Sequence, residues 1–248
     1  MKYGKSGCWR YRNPQEFLIM DFMFIEARKK FSQEEIEQVK QAVENFAKNN
    51  PKIKTIGIVA SLQYLGLLSL IKEELEKNKI QAITNKGKLT EHEAQVLGCD
   101  INAAKNIEER VQAFLLASNG RFHALQLANA TSKPVFLLSG YEITELNREE
   151  IENMKRKRLG AVKNFLASKE TGIIISTKPG QNKIKEAVKI KGMFEKQGKK
   201  AFLFIADTIN INELENFTCQ SWINTACPAL ILDSSKIVNW NEVKRFFR

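Results

Sequence analysis

Short apolar runs rich in β-branched and aromatic residues alternate with stretches whose apolar residues recur at helical spacing. That alternation predicts a parallel sheet assembled from βαβ units. Phe17 to Glu26 is almost uninterrupted apolar sequence and reads as a strand buried on both faces. A helix is expected next, with Ser32 as N-cap and Glu35 closing a capping box. Its apolar stripe is Ile36, Val39, Val43 and Phe46. Asn49-Asn50-Pro51 should end it, because the residue before a proline is driven out of the helical region.

Two later stretches resemble copies of one unit. In the first, Thr55–Ala60 leads through Ser61 into a helix reaching about Asn78, then a strand over Ile80–Ile83. In the second, Gly172–Ser176 leads through a turn into a helix from Gln181 to about Gln197, then a strand over Ala201–Ile205. Each copy is followed by a lone cysteine, Cys99 and Cys227. Helix-favouring sequence from Asn147 to Ser168 suggests a connecting helix and a domain boundary near residue 146.

At 248 residues with 43% apolar and 27% charged positions, the chain suits folded α/β domains rather than disorder. No apolar run reaches the roughly 20 residues that span a bilayer, and residues 1–16 are too polar for a signal peptide. Four cysteines without a close pair fit a reducing cytoplasm better than a disulfide framework. A net charge of +11 raises the question of RNA. The one dense basic run, Lys155-Arg156-Lys157-Arg158, wraps more than a full helical turn and cannot form a flat stripe. A solvated helix face therefore accounts for it better than a nucleic-acid surface.

Three loops fall at expected strand-to-helix turns, where ligands bind open α/β sheets: Ser61-Leu62-Gln63, Ser118-Asn119-Gly120-Arg121 and Ser176-Thr177-Lys178-Pro179-Gly180-Gln181. Small polar residues there expose backbone N–H groups to an anion, although an ordinary turn has the same composition. Walker and Gly-x-Gly-x-x-Gly motifs are absent. Cys99 and Cys227 are either small buried residues or metal ligands. Zinc is disfavoured by the lack of any Cys-x-x-Cys or His-x₃₋₅-His spacing, whereas iron–sulfur clusters take thiolates from distant positions. Cys219 reads as a packing residue near a strand start. Of the two histidines, His92 and His123, the second is the better functional candidate because it follows Gly120-Arg121.

Several of these strings together resemble the diphthamide synthase family: Gly120-Arg121-Phe122-His123, Ser176-Thr177-Lys178-Pro179-Gly180-Gln181, Asn224-Thr225-Ala226-Cys227-Pro228 and Leu97-Gly98-Cys99-Asp100. Tyr3-Gly4-Lys5-Ser6 is similar to a Tyr-Gly-His-Ser element of the family's first domain. The resemblance implies related α/β domains, each contributing one cysteine to a 4Fe-4S cluster whose open iron receives S-adenosylmethionine. Electron transfer then breaks the bond from sulfur to the methionine γ-carbon. The aminocarboxypropyl radical adds to a histidine ring carbon of translation elongation factor 2. By the same resemblance Cys99 and Cys227 are cluster ligands. Ser118, Gly120, Ser176, Thr177, Lys178 and Gln181 would lie at the cofactor, with Arg121 and His123 as catalytic candidates.

The family's first-domain cysteine would precede Tyr3, so the resemblance implies a truncated first domain over residues 1–50, a middle domain over 51–146 and a last domain over 147–248. Cys8 matches no ligand position, and Ala229 stands where the family often has arginine. The expectation is a cytoplasmic α/β protein of repeated small parallel-sheet βαβ domains, acting in diphthamide synthesis on elongation factor 2. It would act as a homo- or hetero-oligomer of family subunits, with a separate N-terminal piece supplying the third thiolate and a further protein donating electrons. A non-catalytic accessory subunit and an RNA-binding protein are the alternatives.

Overall fold

The computed structural model describes residues 9–11, 22–232 and 234–247. Tyr3–Ser6, Cys8 and the first part of the Phe17–Glu26 run lie outside them. The chain forms two compact units, Met1–Asn147 and Arg148–Arg248.

In the first unit β1 (Trp9–Tyr11) pairs antiparallel with β2 (Phe22–Phe24). Among the described residues the expected strand at 17–26 is therefore three residues long. Ile25, just beyond it, is exposed, contrary to burial on both faces. An apolar run cannot by itself distinguish a central parallel strand from one arm of an antiparallel pair.

Helix α1 (Gln33–Asn49) starts at the expected capping box: Glu35 N donates to Ser32 Oγ and Ser32 N donates to Glu35 Oε2. Val39, Val43 and Phe46 of its stripe are buried, and Ile36 is half-buried. The N–H and side-chain amide of Asn50 both reach the Phe46 carbonyl and close the helix. Strand β3 (Thr55–Ala60), a 3₁₀ turn and α2 (Leu68–Lys77), then β4 (Gln81–Ile83) make the first βαβ unit. The short α3 (Asn102–Lys105), β5 (Ala113–Ala117), α4 (Phe122–Ala130), β6 (Val135–Ser139) and β7 (Glu142–Glu145) complete the sheet, ordered β4-β3-β5-β6-β7. All its pairings are parallel except β6 with β7. Helices α1 and α2 cover one face, burying Phe46, Ile71 and Leu75 against Ile56, Ile58 and Leu115.

The second unit opens with α5 (Arg148–Ala167), followed by β8 (Glu170–Ser176), α6 (Ile184–Lys196), β9 (Lys200–Ala206), β10 (Ser221–Asn224), β11 (Ile237–Asn239) and α7 (Trp240–Val243). Its sheet is entirely parallel, in the order β11-β10-β8-β9. Phe165, Ile190 and Phe194 pack with Ile173, Ile175 and Ile223 on one face. Trp222, Ile174 and Ile237 form a smaller apolar cluster that includes half-buried Cys219.

The repeat legible in the sequence extends to side-chain detail. Strands β4-β3-β5 of the first unit match β9-β8-β10 of the second in order and direction. Gly57 pairs with Phe114, Gly172 pairs with Trp222, and each aromatic ring covers its glycine. Just before β5 and β10, Gln112 Oε1 accepts from the backbone of Lys54 and Thr55, and Gln220 Oε1 from Lys169 and Glu170. Each glutamine thus satisfies N–H groups at the start of the neighbouring strand.

Candidate functional site

In the first unit the candidate residues gather at the carboxyl edge of β3 and β5. Residues 94–96 run beside the end of β3, with Ala60 N donating to Ala94 O and Val96 N to Ala60 O. The chain then reverses: Leu97 N donates to Asp100 O at 2.9 Å and Asp100 N to Leu97 O at 3.1 Å. Gly98 and exposed Cys99 form the tip of this turn. Asp100 is buried and accepts from Leu89 N, Asn102 N and Asn102 Nδ2. Burial pushes its carboxyl pKa up, but the donors, including Lys88 N, outweigh this and hold it below the ordinary value.

The Ser118–His123 segment joins β5 to α4 beside this turn. Ser118 is buried, and its Oγ lies 3.2 Å from His123 Nδ1, while Gly120 takes φ +84°, a conformation that favours glycine. Burial alone lowers the His123 pKa, favouring the neutral ring. With Nδ1 accepting from Ser118, Nε2 would carry the proton; the opposite tautomer reverses the bond. Arg121 is exposed at the start of α4. The Phe122 ring lies where a Cβ on Gly98 would point, so the Cys99 turn and the Gly120–His123 segment share one packing contact.

In the second unit the Ser176–Gln181 loop and Cys227 lie at the carboxyl ends of adjacent strands, β8 and β10. Ser176 Oγ is buried and accepts from Lys178 N at 3.1 Å. Gln181 N and Asn182 N both donate to Lys178 O, and Gly180 takes φ +78°. This wound turn delays α6 to Ile184, three residues beyond the expected start at Gln181. Thr177, Lys178 and Gly180 are exposed, whereas Gln181 is half-buried.

Asn224 holds the Cys227 loop. Its Nδ2 donates to Cys227 O and to Asn239 Oδ1, both at 2.7 Å, and its Oδ1 accepts from Ala226 N at 2.9 Å. Thr225 N and Oγ1 donate to Ile174 O, anchoring the loop to β8. Cys227 is half-buried.

The two thiols occupy different positions of the repeat. Cys99 lies between β4 and β5, whereas Cys227 follows β10, the counterpart of β5. The first-unit counterpart of the Cys227 loop is the Ser118–Arg121 turn. Asp207 and Asn239 belong to none of the sequence motifs; each is a polar residue closing an apolar strand run, and that is the signal that marks them.

Thiols at solvent-accessible sheet edges suit the soft-donor chemistry of an iron–sulfur cluster. Among the described residues, no group of three or more His, Cys, Asp or Glu is placed to hold a metal ion. The basic run is divided: Arg158 forms a two-pronged ion pair with Glu242 and bonds the Ile231 and Ile237 carbonyls, leaving Lys155, Arg156 and Lys157 exposed. Among the described residues no helix is long and apolar enough to cross a membrane.

The family model described as "Putative diphthamide synthesis protein" matches residues 3–242. A 2-(3-amino-3-carboxypropyl)histidine synthase from Pyrococcus horikoshii is 31% identical over 196 residues, 77% of this chain and 56% of the relative. One from Methanocaldococcus jannaschii is 25% identical over 228 residues, 90% of this chain and 58% of the relative. Subunit 1 of the Schizosaccharomyces pombe synthase is 27% identical over 208 residues, 79% of this chain and 46% of that subunit. The crystal structure of Dph2 from Pyrococcus horikoshii with a 4Fe-4S cluster aligns with a TM-score of 0.74 at 27% identity, over 88% of this chain and 63% of that one. The matched part is thus little more than half the length of the two archaeal relatives. With its motifs in order and a family match along nearly its whole length, the chain belongs to the diphthamide synthesis protein family.

Proposed function

We propose that this chain acts in the cytoplasm in diphthamide synthesis, in the transfer of a 3-amino-3-carboxypropyl group from S-adenosylmethionine to a histidine of elongation factor 2. The observation that carries the reading is the arrangement of the second unit, where Cys227 and the Ser176–Gln181 loop sit at the ends of neighbouring parallel strands. In this reading Cys99 and Cys227 are thiolate ligands of a 4Fe-4S cluster. When bound, such a cluster supplies the one-electron chemistry that breaks the sulfur–γ-carbon bond of the sulfonium. Ser176, Thr177, Lys178 and Gln181 hold the cofactor in the last domain, and Ser118 and Gly120 shape the corresponding edge of the middle one. A neutral His123, oriented by Ser118, is suited to take a proton from the incoming histidine, and Arg121 to meet an anionic group. Residues 1–50 are the remnant of a first domain, with α1 packed on the sheet that begins at β3, and the further cluster ligand comes from outside the described residues, on Cys8 or a partner chain. A homo- or hetero-oligomer of family subunits and a separate electron-donating protein complete the system.

The test is anaerobic iron and sulfide reconstitution of the chain, with iron content and electron paramagnetic resonance after reduction. A reducible 4Fe-4S signal that disappears in Cys99→Ser and in Cys227→Ser is expected. A chain that takes up no cluster, alone or with a family partner, would defeat the catalytic reading. It would favour the second one, an accessory subunit, a reading motivated by the relative that is named as one subunit of a synthase.

A further inference from the structure

Asp207 follows β9 directly and faces the loop that leaves β8. Thr177 N donates to Ala206 O at 3.0 Å, Ser176 Oγ to the Asp207 carbonyl at 3.4 Å, and Thr177 Oγ1 to Asp207 Oδ1 at 3.2 Å. Thr208 Oγ1 reaches Oδ2 at 3.5 Å. Both carboxylate oxygens are therefore oriented by hydroxyls. The residue is exposed, in a chain with 39 Lys and Arg against 28 Asp and Glu, yet among the described residues none forms an ion pair with it. A carboxylate at a ligand edge that meets only hydroxyl donors keeps outward lone pairs for a cation.

We propose that Asp207 is a binding residue for the ammonium group of an α-amino-acid ligand. On the reading of Ser176–Gln181 as the cofactor loop, on which this rests, that ligand is S-adenosylmethionine. Its amino-acid end carries a carboxylate and an ammonium. Lys178 and Gln181 offer side-chain donors suited to the carboxylate. An ammonium has three donors and no acceptor, so it needs an anion, and within this loop and its β9 neighbour Asp207 is the group that supplies one.

The probes are S-adenosylmethionine, S-adenosylhomocysteine and 5′-methylthioadenosine. The first two carry the ammonium, only the first carries the sulfonium, and the third lacks both together with the carboxylate. Binding to the full chain is measured by titration calorimetry, anaerobically after iron and sulfide reconstitution, for the natural protein and for Asp207→Asn. That substitution keeps an acceptor for Thr177 and removes the charge. We expect S-adenosylmethionine and S-adenosylhomocysteine each to lose about tenfold in affinity, the scale of a lost charged hydrogen bond, with 5′-methylthioadenosine unchanged. Unchanged affinity for S-adenosylmethionine overturns the assignment and leaves the cofactor reading standing. Equal weakening of all three overturns it as well, because Asp207 would then shape the loop rather than meet the ammonium. A natural chain that binds none of the three defeats the cofactor-loop reading, and the assignment with it.

Discussion

The ring of Phe122 fills the space that a side chain on Gly98 would need, so the turn carrying Cys99 is seated on the first residue of α4. Gly98→Ala should therefore overpack the contact and destabilise the first unit by about 1–3 kcal/mol. Combining it with Phe122→Leu should recover part of that loss, because the two changes share one volume. Urea unfolding of the two single variants and the double variant measures the coupling. Strict additivity would show that the seat does not position the turn.

Asn224 makes three hydrogen bonds around the Cys227 loop while buried. Asn224→Ala should cost about 1–3 kcal/mol, since it removes three hydrogen bonds and strands the Ala226 N–H. It should also speed alkylation of Cys227 by iodoacetamide severalfold, as the loop gains freedom. Mass spectrometry of the labelled peptide reads the rate, and an unchanged rate would mean that the Thr225 anchor alone holds the loop.

Burial lowers the His123 pKa from its ordinary 6.5. The unfolded chain then binds more protons than the folded one as pH falls below 6.5, so the contribution is intact above that value and lost as pH falls through the lower folded pKa. His123→Gln should remove this part of the acid sensitivity. Urea midpoints at pH 7.5 and 5 should differ less in the variant than in the natural chain; equal differences would show that the ring titrates as in water.

Asp100 behaves with the same sign for a different reason. Burial raises its pKa, but four backbone and side-chain donors overcome this and bring it below 3.8. Its stabilisation is present above that value and fades as pH drops further. Asp100→Asn should thus be destabilising by about 1–3 kcal/mol at pH 7, and the gap from the natural chain should shrink below about pH 4. A gap independent of pH would assign the loss to shape rather than charge.

Gly57 and Gly172 stand at equivalent places in the two units, each beneath an aromatic ring from the adjacent strand. Alanine at either should overpack its own sheet by about 1–3 kcal/mol, and hydrogen exchange should localise the loss to the unit that carries the change. Loss of protection in both units from one substitution would contradict this.

Local signals were readable without a structure. The Ser32–Glu35 capping box, the Val39–Val43–Phe46 stripe and the apolar runs of β3 and β8 depend on residues within a few positions of each other, where spacing dictates geometry. The order of motifs along the chain likewise pointed to the family that the comparisons establish. Contacts between strands were decided by the tertiary structure. No spacing rule links Thr177 to Asp207 thirty positions away, Gly98 to the Phe122 ring, or Asn224 to Asn239. Nor does an apolar pattern reveal that β7 runs antiparallel, or that Cys99 precedes its sheet's β5 while Cys227 follows the matching β10. Sequence period fixes which face of an element is apolar. Which residues that face brings together depends on strand order and register, which arise only when the whole unit buries its core.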